Sequence, residues 1–162
     1  MSRLKSLRNN EVMDLRPYLA SDLQACLDIY DASAVTLAPT HPRQSFQTFL
    51  QNSPLTFFVL EHDANILGCG GYHHVEGSQQ AELVWGMIHS KWHRQGLGRF
   101  LLMFRLREIT KRNKVQLVHL EVPQQLAAFY QRQGFHIAAQ KIDGYGSGLD
   151  KIELTKKLTV CP

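Results

Sequence analysis

A short segment, in which an apolar run is followed by a glycine-rich turn and a helical pattern, constrains the fold of this chain most strongly. The run Leu83–Ile88 is typical of a buried strand, and Gly96 and Gly98 stand in the turn behind it. One face of the following helix is predicted to carry Leu97, Leu101, Phe104 and Glu108. The basic residues of that helix are predicted to lie mostly outward, namely Arg99, Arg105, Arg107 and Lys111. The segment therefore predicts a strand, a turn and a helix in direct succession.

The turn between this strand and this helix has the properties of an anion-binding site. Glycine lets the backbone approach a ligand closely, and the first N–H groups of a helix have no partner within the helix. The helix dipole favours a negative group at the same end, such as a phosphate. Arg94 and Arg99 add positive charge there. We therefore predict that the turn binds a phosphate-containing ligand; a turn that only shapes the helix start is the alternative.

Length and charge indicate one domain with a basic tail. The 162 residues suit a single core, which we expect over residues 11–160 after a tail over residues 1–10. Arg3, Lys5 and Arg8 supply three of the four net positive charges, so the remainder carries 4 − 3 = +1. We expect the tail to be solvated. We do not expect a nucleic-acid partner, because the body lacks the interleaved basic and aromatic residues that single strands require.

The cysteines and the apolar segments predict a cytoplasmic location. Cys26, Cys69 and Cys161 are odd in number and scattered, so they do not form a disulfide framework. No apolar run approaches the roughly 20 residues that span a membrane, and Met1–Asn10 lacks the apolar centre of a signal peptide. We therefore expect a reducing, intracellular environment and no membrane partner.

The order of the predicted elements indicates the fold class. The apolar periodicities and turn residues predict strands over 11–17, 55–60, 66–72, 81–89, 115–122, 135–139 and 151–158. They predict helices from an N-cap at Ser21-Asp22, over 42–51, from Gly98 to Arg112, and from Pro123 to Gly134. The resulting order, β-α-α-β-β-β-α-β-α-β-β, predicts an α/β fold in which a mixed sheet carries helices on both faces.

The segment His93-Arg-Gln-Gly-Leu-Gly98 resembles the pyrophosphate-binding signature of the GNAT superfamily of acyl-CoA N-acyltransferases. His93 stands where Gln or Arg is usual, but backbone N–H groups provide most of that binding. The family has the same order of elements, so the resemblance covers nearly the whole chain. It implies acetyl-CoA as the co-substrate and no metal. It also implies a set of coenzyme-binding residues: Met87, Ile88, His93, Arg94, Gln95, Gly96, Leu97, Gly98 and Arg99.

The same resemblance implies three catalytic residues. Glu82 lies eleven residues before His93, the spacing of the general base in histone-acetylating members. Tyr130 lies in Phe129-Tyr-Gln-Arg-Gln-Gly-Phe135, which is similar to the family segment whose tyrosine protonates the departing thiolate. Gly86, four residues after Glu82, matches the position whose backbone N–H stabilises the oxyanion.

Each of these residues also has a purely structural interpretation. Glu82 could be an exposed strand residue that pairs with a lysine, and Tyr130 could be a core residue whose hydroxyl bonds the backbone. His73-His74 beside Glu76 could suggest a metal, but a third ligand at convincing spacing is missing, so we expect these histidines on a surface strand.

The resemblance implies an N-acetyltransferase that moves the acetyl group of acetyl-CoA to a primary amine by direct attack in a ternary complex. The amine could belong to a small molecule, a peptide or a protein. A catalytically silent acetyl-CoA-binding regulatory module is the first alternative, and a small basic nucleic-acid-binding protein is the second. We expect residues 31–41, 73–74 and 144–148 to shape the acceptor pocket. The sequence leaves the acceptor and the oligomeric state, including a homodimer, open.

Overall fold

The computed structural model describes residues 2–5, 12–36, 40–52, 54, 56–112 and 114–159. Among these residues there are eight strands: β1 Ser2–Lys5, β2 Val12–Pro17, β3 Phe57–His62, β4 Asn65–His74, β5 Gln80–Ile88, β6 Leu117–Pro123, β7 His136–Lys141 and β8 Lys151–Lys157. The same residues form four α-helices: α1 Leu23–Thr36, α2 Arg43–Gln51, α3 Leu97–Arg112 and α4 Gln124–Arg132.

The predicted α/β fold and its order of elements are confirmed, and one strand is added. From β2 to β8 the elements follow the predicted order. Strand β1 is the addition; it lies within the segment predicted as a tail and pairs antiparallel with β2, from Ser2↔Leu15 to Lys5↔Val12. Leu55 and Asn113, predicted as ends of elements, lie outside the described residues. The single domain over 11–160 stays a prediction.

The described residues fall into two compact units, of which the first comprises Met1–Gly71 and Trp85–Arg107. In this unit the strand order is β1-β2-β3-β4-β5, and the pairs from β1 to β4 are antiparallel. Helices α1 and α2 pack their apolar faces on these strands. The core they form consists of Cys26, Leu27, Ile29, Tyr30, Phe46, Leu50, Phe57, Val59 and Cys69. The unit also contains the first part of α3 and hence the glycine-rich turn.

The second unit comprises Tyr72–Val84 and Glu108–Pro162. Its strand order is β5-β6-β8-β7. Strand β5 pairs parallel with β6, whereas β8 pairs antiparallel with both β6 and β7. Helix α4 connects β6 to β7 and buries Ala127 and Tyr130. Within the described part of the chain, no helix combines the length and the apolar character that crossing a membrane requires.

The start of α1 differs in detail from the predicted N-cap. A short 3₁₀ turn, Ala20–Asp22, precedes the helix, and Leu19 rather than Ser21 or Asp22 is its N-cap. The Leu19 N–H donates to Asp22 Oδ2 at 2.8 Å, and the Arg16 guanidinium donates to both carboxylate oxygens at 2.8 and 2.9 Å. Asp22 is only 6% exposed. The acid therefore caps the turn from its third residue, because there it can accept bonds from both the backbone and Arg16.

We expect Asp22→Asn to lower the free energy of unfolding at pH 7 by about 2 kcal/mol, because it removes the carboxylate that accepts two bonds from the partly buried Arg16 and leaves that cation paired with Glu61 at 3.0 Å. Burial by itself would raise the pKa of Asp22, but the hydrogen bonds from Arg16 and Leu19 and the charge of Arg16 together lower it. A lowered pKa means that this stability is present above about pH 4 and is lost as the pH falls through the folded-state pKa. Urea unfolding at pH 7 and pH 3 measures the effect.

Asp28→Asn is the matched control for this substitution. Asp28 lies on α1, is exposed and accepts a hydrogen bond only from Gln24 among the bonds described here. Its replacement should change stability by no more than about 0.5 kcal/mol. If the two variants lose equal stability, the Asp22–Arg16 pair does not anchor the start of α1.

Candidate functional site

Strand β5 contains one residue with a left-handed backbone, Trp85, whose φ is +51°. A bulky side chain rarely adopts this conformation, and its strain must be offset by the surrounding structure. The indole stacks on Phe46 with ring centroids 4.7 Å apart and lies tilted against Phe49 with centroids 6.1 Å apart. Aromatic packing in the first unit therefore holds Trp85, and the backbone of β5 changes direction at this residue.

Gly86 follows Trp85 and lies against a buried arginine. A Cβ atom on Gly86 would lie 2.8 Å from Nη2 of Arg105, closer than side chains approach. Arg105 is 2% exposed, so the prediction that it faces outward is wrong. The helical spacing explains the result, because Arg105 follows Leu101 by four residues and so shares its inward face. The absence of a side chain at Gly86 leaves room for the guanidinium.

The turn between β5 and α3 is held by its own histidines. The ring of His93 donates from Nε2 to the carbonyl oxygen of Ile88 at 2.7 Å. His89 Nδ1 accepts the N–H of Lys91 at 3.1 Å and caps the short 3₁₀ turn Ser90–Trp92. The His93 ring therefore ties the turn to the end of β5, which differs from the phosphate contact that Gln or Arg would make at this position.

Two residues of the turn have left-handed backbones, Arg94 with φ +61° and Gly96 with φ +80°. The first backbone hydrogen bond of α3 runs from Phe100 N–H to the Gly96 carbonyl at 3.1 Å. The N–H groups of Leu97 and Gly98 come before that bond and cannot be used inside the helix. The predicted coenzyme-binding residues surround this turn in the first unit: Met87 and Ile88 end β5, and Leu97, Gly98 and Arg99 begin α3. Left-handed backbone before a helix start is the geometry of an anion cradle.

In the second unit, Glu82 pairs with His73. The Glu82 Oε2 and His73 Nε2 atoms are 2.9 Å apart, and the side chains are 31% and 53% exposed. If Glu82 were only a surface residue, we expected it to pair with a lysine. Its partner in the structure is a histidine. His73 and His74 are exposed at the end of β4, as predicted. The register of β5 with β6 runs from Gln80 to Glu82, so the parallel pairing ends at Glu82, opposite His119.

Tyr145 shares the electrostatic environment of Glu82. Burial raises the pKa of its hydroxyl to about 12, with further contributions from the negative charges of Glu121 and Glu82. Tyr145 belongs to the segment 144–148, which was expected to shape the acceptor pocket. Glu121 was not singled out, because it lies in an ordinary strand and no local motif marks it; only the register of β6 could have indicated it.

The loop that carries Tyr145 is held by two aspartates. Asp143 Oδ1 accepts the N–H of Gly148 at 2.7 Å, and Asp150 Oδ1 accepts the N–H of Asp143 at 3.0 Å. The bond from Asp143 N–H, followed by one from Gln140, lowers the pKa of Asp150. These bonds give the glycine-rich loop a defined conformation.

Tyr130 lies on α4 and is 7% exposed. Its ring makes edge contacts with Phe129 and Phe135, with centroids 5.0 and 5.7 Å away. Within the described residues its hydroxyl has no hydrogen-bond partner, whereas the core interpretation expected a backbone one. The ring is therefore a packing group, and no other described residue bonds the hydroxyl.

We found no group of three His, Cys, Asp or Glu side chains that could hold a metal ion among the residues that the structure describes. His73 and Glu82 form a pair to which no third such ligand is added there.

The family model described as "Acetyltransferase (GNAT) domain" matches residues 53–137. This range, 85 of the 162 residues, includes β3 to α4, the glycine-rich turn, Glu82 and Tyr130. A search of curated protein sequences found no match.

Solved structures resemble the chain over most of its length. The ribosomal-protein-S18-alanine N-acetyltransferase from Escherichia coli is 23% identical with a TM-score of 0.76, covering 93% of this chain and 96% of that one. The ribosomal-protein-alanine N-acetyltransferase from Brucella melitensis is 26% identical with a TM-score of 0.72, covering 90% and 99%. The PaiA N-acetyltransferase from Thermoplasma acidophilum, in complex with coenzyme A, is 17% identical with a TM-score of 0.70, covering 90% and 99%.

Proposed function

This chain belongs to the GNAT family of acetyltransferases, and on that premise we propose that it transfers the acetyl group of acetyl-CoA to a primary amine by direct attack in a ternary complex. The observation that carries the proposal is the turn before α3. There, left-handed backbone at Arg94 and Gly96 and the N–H groups of Leu97 and Gly98, which precede the first hydrogen bond of the helix, are proposed to form an anion cradle.

We propose that this cradle binds the pyrophosphate of coenzyme A. Backbone N–H groups and the helix dipole bind phosphate groups without a dedicated side chain. Arg94 and Arg99 are exposed at the same turn and add positive charge. Met87 and Ile88 end β5, and the Ile88 carbonyl accepts the hydrogen bond from His93. We propose that the backbone of these two residues contacts the rest of the coenzyme.

We propose Glu82 as the group that accepts the proton of the attacking amine, directly or through water. Amines are mostly protonated at neutral pH, so attack on a thioester requires a base. The bond from His73 limits the rotation of the Glu82 carboxylate, so His73 acts as a positioning residue. The nearby charge of Glu121 favours the approach of a cationic amine.

Two further groups complete the proposed reaction. Gly86 follows Trp85, the residue with a left-handed backbone, and its N–H donates to the oxyanion of the tetrahedral intermediate. Tyr130, whose hydroxyl has no hydrogen-bond partner in the described part of the chain, donates its proton to the thiolate of coenzyme A as the C–S bond breaks. The nitrogen keeps the acetyl group as an amide, and free coenzyme A leaves.

Release of free thiol from acetyl-CoA, measured against a panel of amines, tests the proposed function. The panel includes small amines, lysine side chains in peptides, and a peptide with an N-terminal alanine, the residue named for the E. coli and Brucella neighbours. We expect amine-dependent release, with acetylated amine found by mass spectrometry. Tight acetyl-CoA binding without release for any amine would support the alternative of a silent regulatory module. We also propose a cytoplasmic location, which fits the buried, reduced Cys26 and Cys69.

We expect Gly96→Ala to weaken acetyl-CoA binding roughly 10-fold, because its φ of +80° is strained for alanine and the cradle relaxes away from its binding geometry. A Cβ on Gly96 meets nothing within 4 Å, so the effect comes from the backbone and not from a clash inside the protein. A larger loss is expected for Gly98→Leu, which places a side chain at the proposed pyrophosphate. Titration calorimetry measures the affinity, and circular dichroism checks the fold.

Gly77→Ala is the matched control, because Gly77 has φ +71° and an equally open surrounding but lies in the turn between β4 and β5. The two alanine variants should lose similar melting temperature, while only Gly96→Ala loses affinity. Unchanged affinity in both glycine variants of the α3 turn would show that the coenzyme binds elsewhere.

A further inference from the structure

We propose that Arg105 is a positioning residue for acetyl transfer: its buried guanidinium supports the backbone of β5 at Gly86 and adds positive charge beside the amide proposed to bind the oxyanion. The inference rests on the proposed function. It adds a residue that neither the glycine-rich signature nor the spacing from Glu82 indicates.

The guanidinium lies directly against the backbone of two strands. A Cβ on Gly86 would lie 2.8 Å from Nη2, 3.0 Å from Nη1 and 3.2 Å from Cζ of Arg105. A Cβ on Gly70, on β4, would lie 3.3 Å from Cζ and Nη1, and 3.1 Å from the Gly86 Cα. Gly70 and Gly86 therefore pack on the planar group together. Any larger residue at either position would displace it.

The hydrogen bonds that the structure describes for Arg105 end on backbone carbonyls. Nε donates to Leu101 and Nη1 donates to Gly71, each at 3.4 Å. Both bonds are longer than the usual 2.7–3.2 Å range, so they constrain the side chain weakly. Close packing against Gly70 and Gly86 also fixes the position of the planar group, and the guanidinium in turn supports the backbone at Gly86.

The charge of this group is permanent and lies in a dry environment. Arginine stays protonated at every pH at which proteins fold. Its field reaches the neighbouring thiol of Cys69, where it favours the thiolate, although a hydrogen bond with Cys26 and burial still raise the pKa of Cys69. A cation within a few ångströms of a backbone amide strengthens that amide as a donor to an oxyanion, and the effect is larger in a buried site than in water.

The position of Arg105 is costly for stability, which favours a functional role. Burying a cation removes its hydration, and a hydrophobic residue of similar volume is often neutral or more stabilising. The apolar neighbours Leu101, Leu102 and Ile109 show what the inward face of α3 otherwise contains. Local departures from such a pattern are concentrated at functional sites.

The test uses the full chain with Arg105→Met and Arg105→Lys, assayed by thiol release with a reactive amine. We expect Met to lower kcat about 10- to 100-fold and Lys to lower it less, because Lys keeps the charge without the planar group. Acetyl-CoA affinity should stay within about 3-fold, since the cradle of α3 is untouched. The melting temperature of each variant is measured alongside to check that it folds.

Arg107→Met, which replaces an exposed arginine two residues further along α3, is the matched control and should match the wild type in all three measurements. Equal loss of kcat in Met and Lys together with a lower melting temperature would show that Arg105 only packs, and unchanged kcat in Met would overturn the proposal outright. Should Arg105→Met fail to fold, Arg105→Gln compared with Arg105→Lys separates charge from packing. If the wild type shows no amine-dependent thiol release, the proposed function is overturned together with this inference. If the wild type is active and Arg105→Met has the same kcat, only this inference is overturned.

Discussion

Tyr130→Phe is expected to lower kcat on the order of 10- to 10³-fold while leaving the melting temperature and the acetyl-CoA affinity near those of the wild type. The ring of Tyr130 packs between Phe129 and Phe135, and phenylalanine keeps that packing. Within the described residues its hydroxyl makes no hydrogen bond, so its loss removes no interaction seen among them. The only function removed is a proton donor for the departing thiolate. Thermal unfolding, calorimetry and steady-state kinetics on the one variant measure all three quantities.

Tyr18→Phe provides the control for the loss of a hydroxyl. Tyr18 is partly buried and contacts Phe57 edge-on with centroids 5.8 Å apart, and it has no role in the proposed reaction. We expect its kcat to equal that of the wild type. A Tyr130→Phe variant with a lower melting temperature and unchanged turnover would show a core residue, and full activity would remove Tyr130 from the reaction.

The second large effect is expected at Glu82, where Glu82→Gln should lower kcat at neutral pH by about 10²-fold. Glutamine keeps the shape of the side chain and can still bond His73, but it cannot accept a proton. Acetyl-CoA affinity should barely change. The decline of kcat towards acid pH should also disappear if the carboxylate is the base, so a pH profile of kcat accompanies the assay.

Glu121→Gln separates a base from a negative field. Glu121 is an exposed carboxylate of the same unit that pairs with Lys151 at 3.3 Å and, like Glu82, acts on the Tyr145 hydroxyl. We expect its replacement to raise the KM for a cationic amine and to leave kcat nearly unchanged. Equal loss of kcat in both variants would mean that the acidic surface attracts the amine and that the base is another group or a water chain.

The elements and the turn before α3 could be predicted because their determinants are local. The helix start at Leu97 follows from glycines and apolar residues that are neighbours in the chain. Between the strands predicted over 66–72 and 81–89, Gly77 adopts φ +71° in the connecting turn. Strand periodicity likewise placed β4, β5 and β8 within a few residues of their observed bounds. Such signals depend on about three to eight consecutive residues, so they can be recognised in the sequence without knowledge of the fold.

The partners of the candidate site could not be predicted, because they are set by residues far apart in the chain. His73 and Glu82 meet only after β4 turns back into β5, and the charge of Glu121 reaches Tyr145 only after β6 and the loop before β8 are in place. Strand β1 was missed for a related reason. Its basic residues read as a tail, and its strand conformation depends on pairing with β2.

By itself, the sequence determined the order of the elements, the glycine-rich cradle and the resemblance to an acetyltransferase family, because hydrophobic periodicity and glycine act through the nearest neighbours in the chain. Only the tertiary structure decided that Trp85 is held at φ +51° by Phe46 and that Arg105 is buried against Gly70 and Gly86. Sequence analysis predicts that a charged residue is exposed, because burying a charge costs free energy. Packing reverses that expectation where two glycines on adjacent strands leave space that only a side chain from another element can fill.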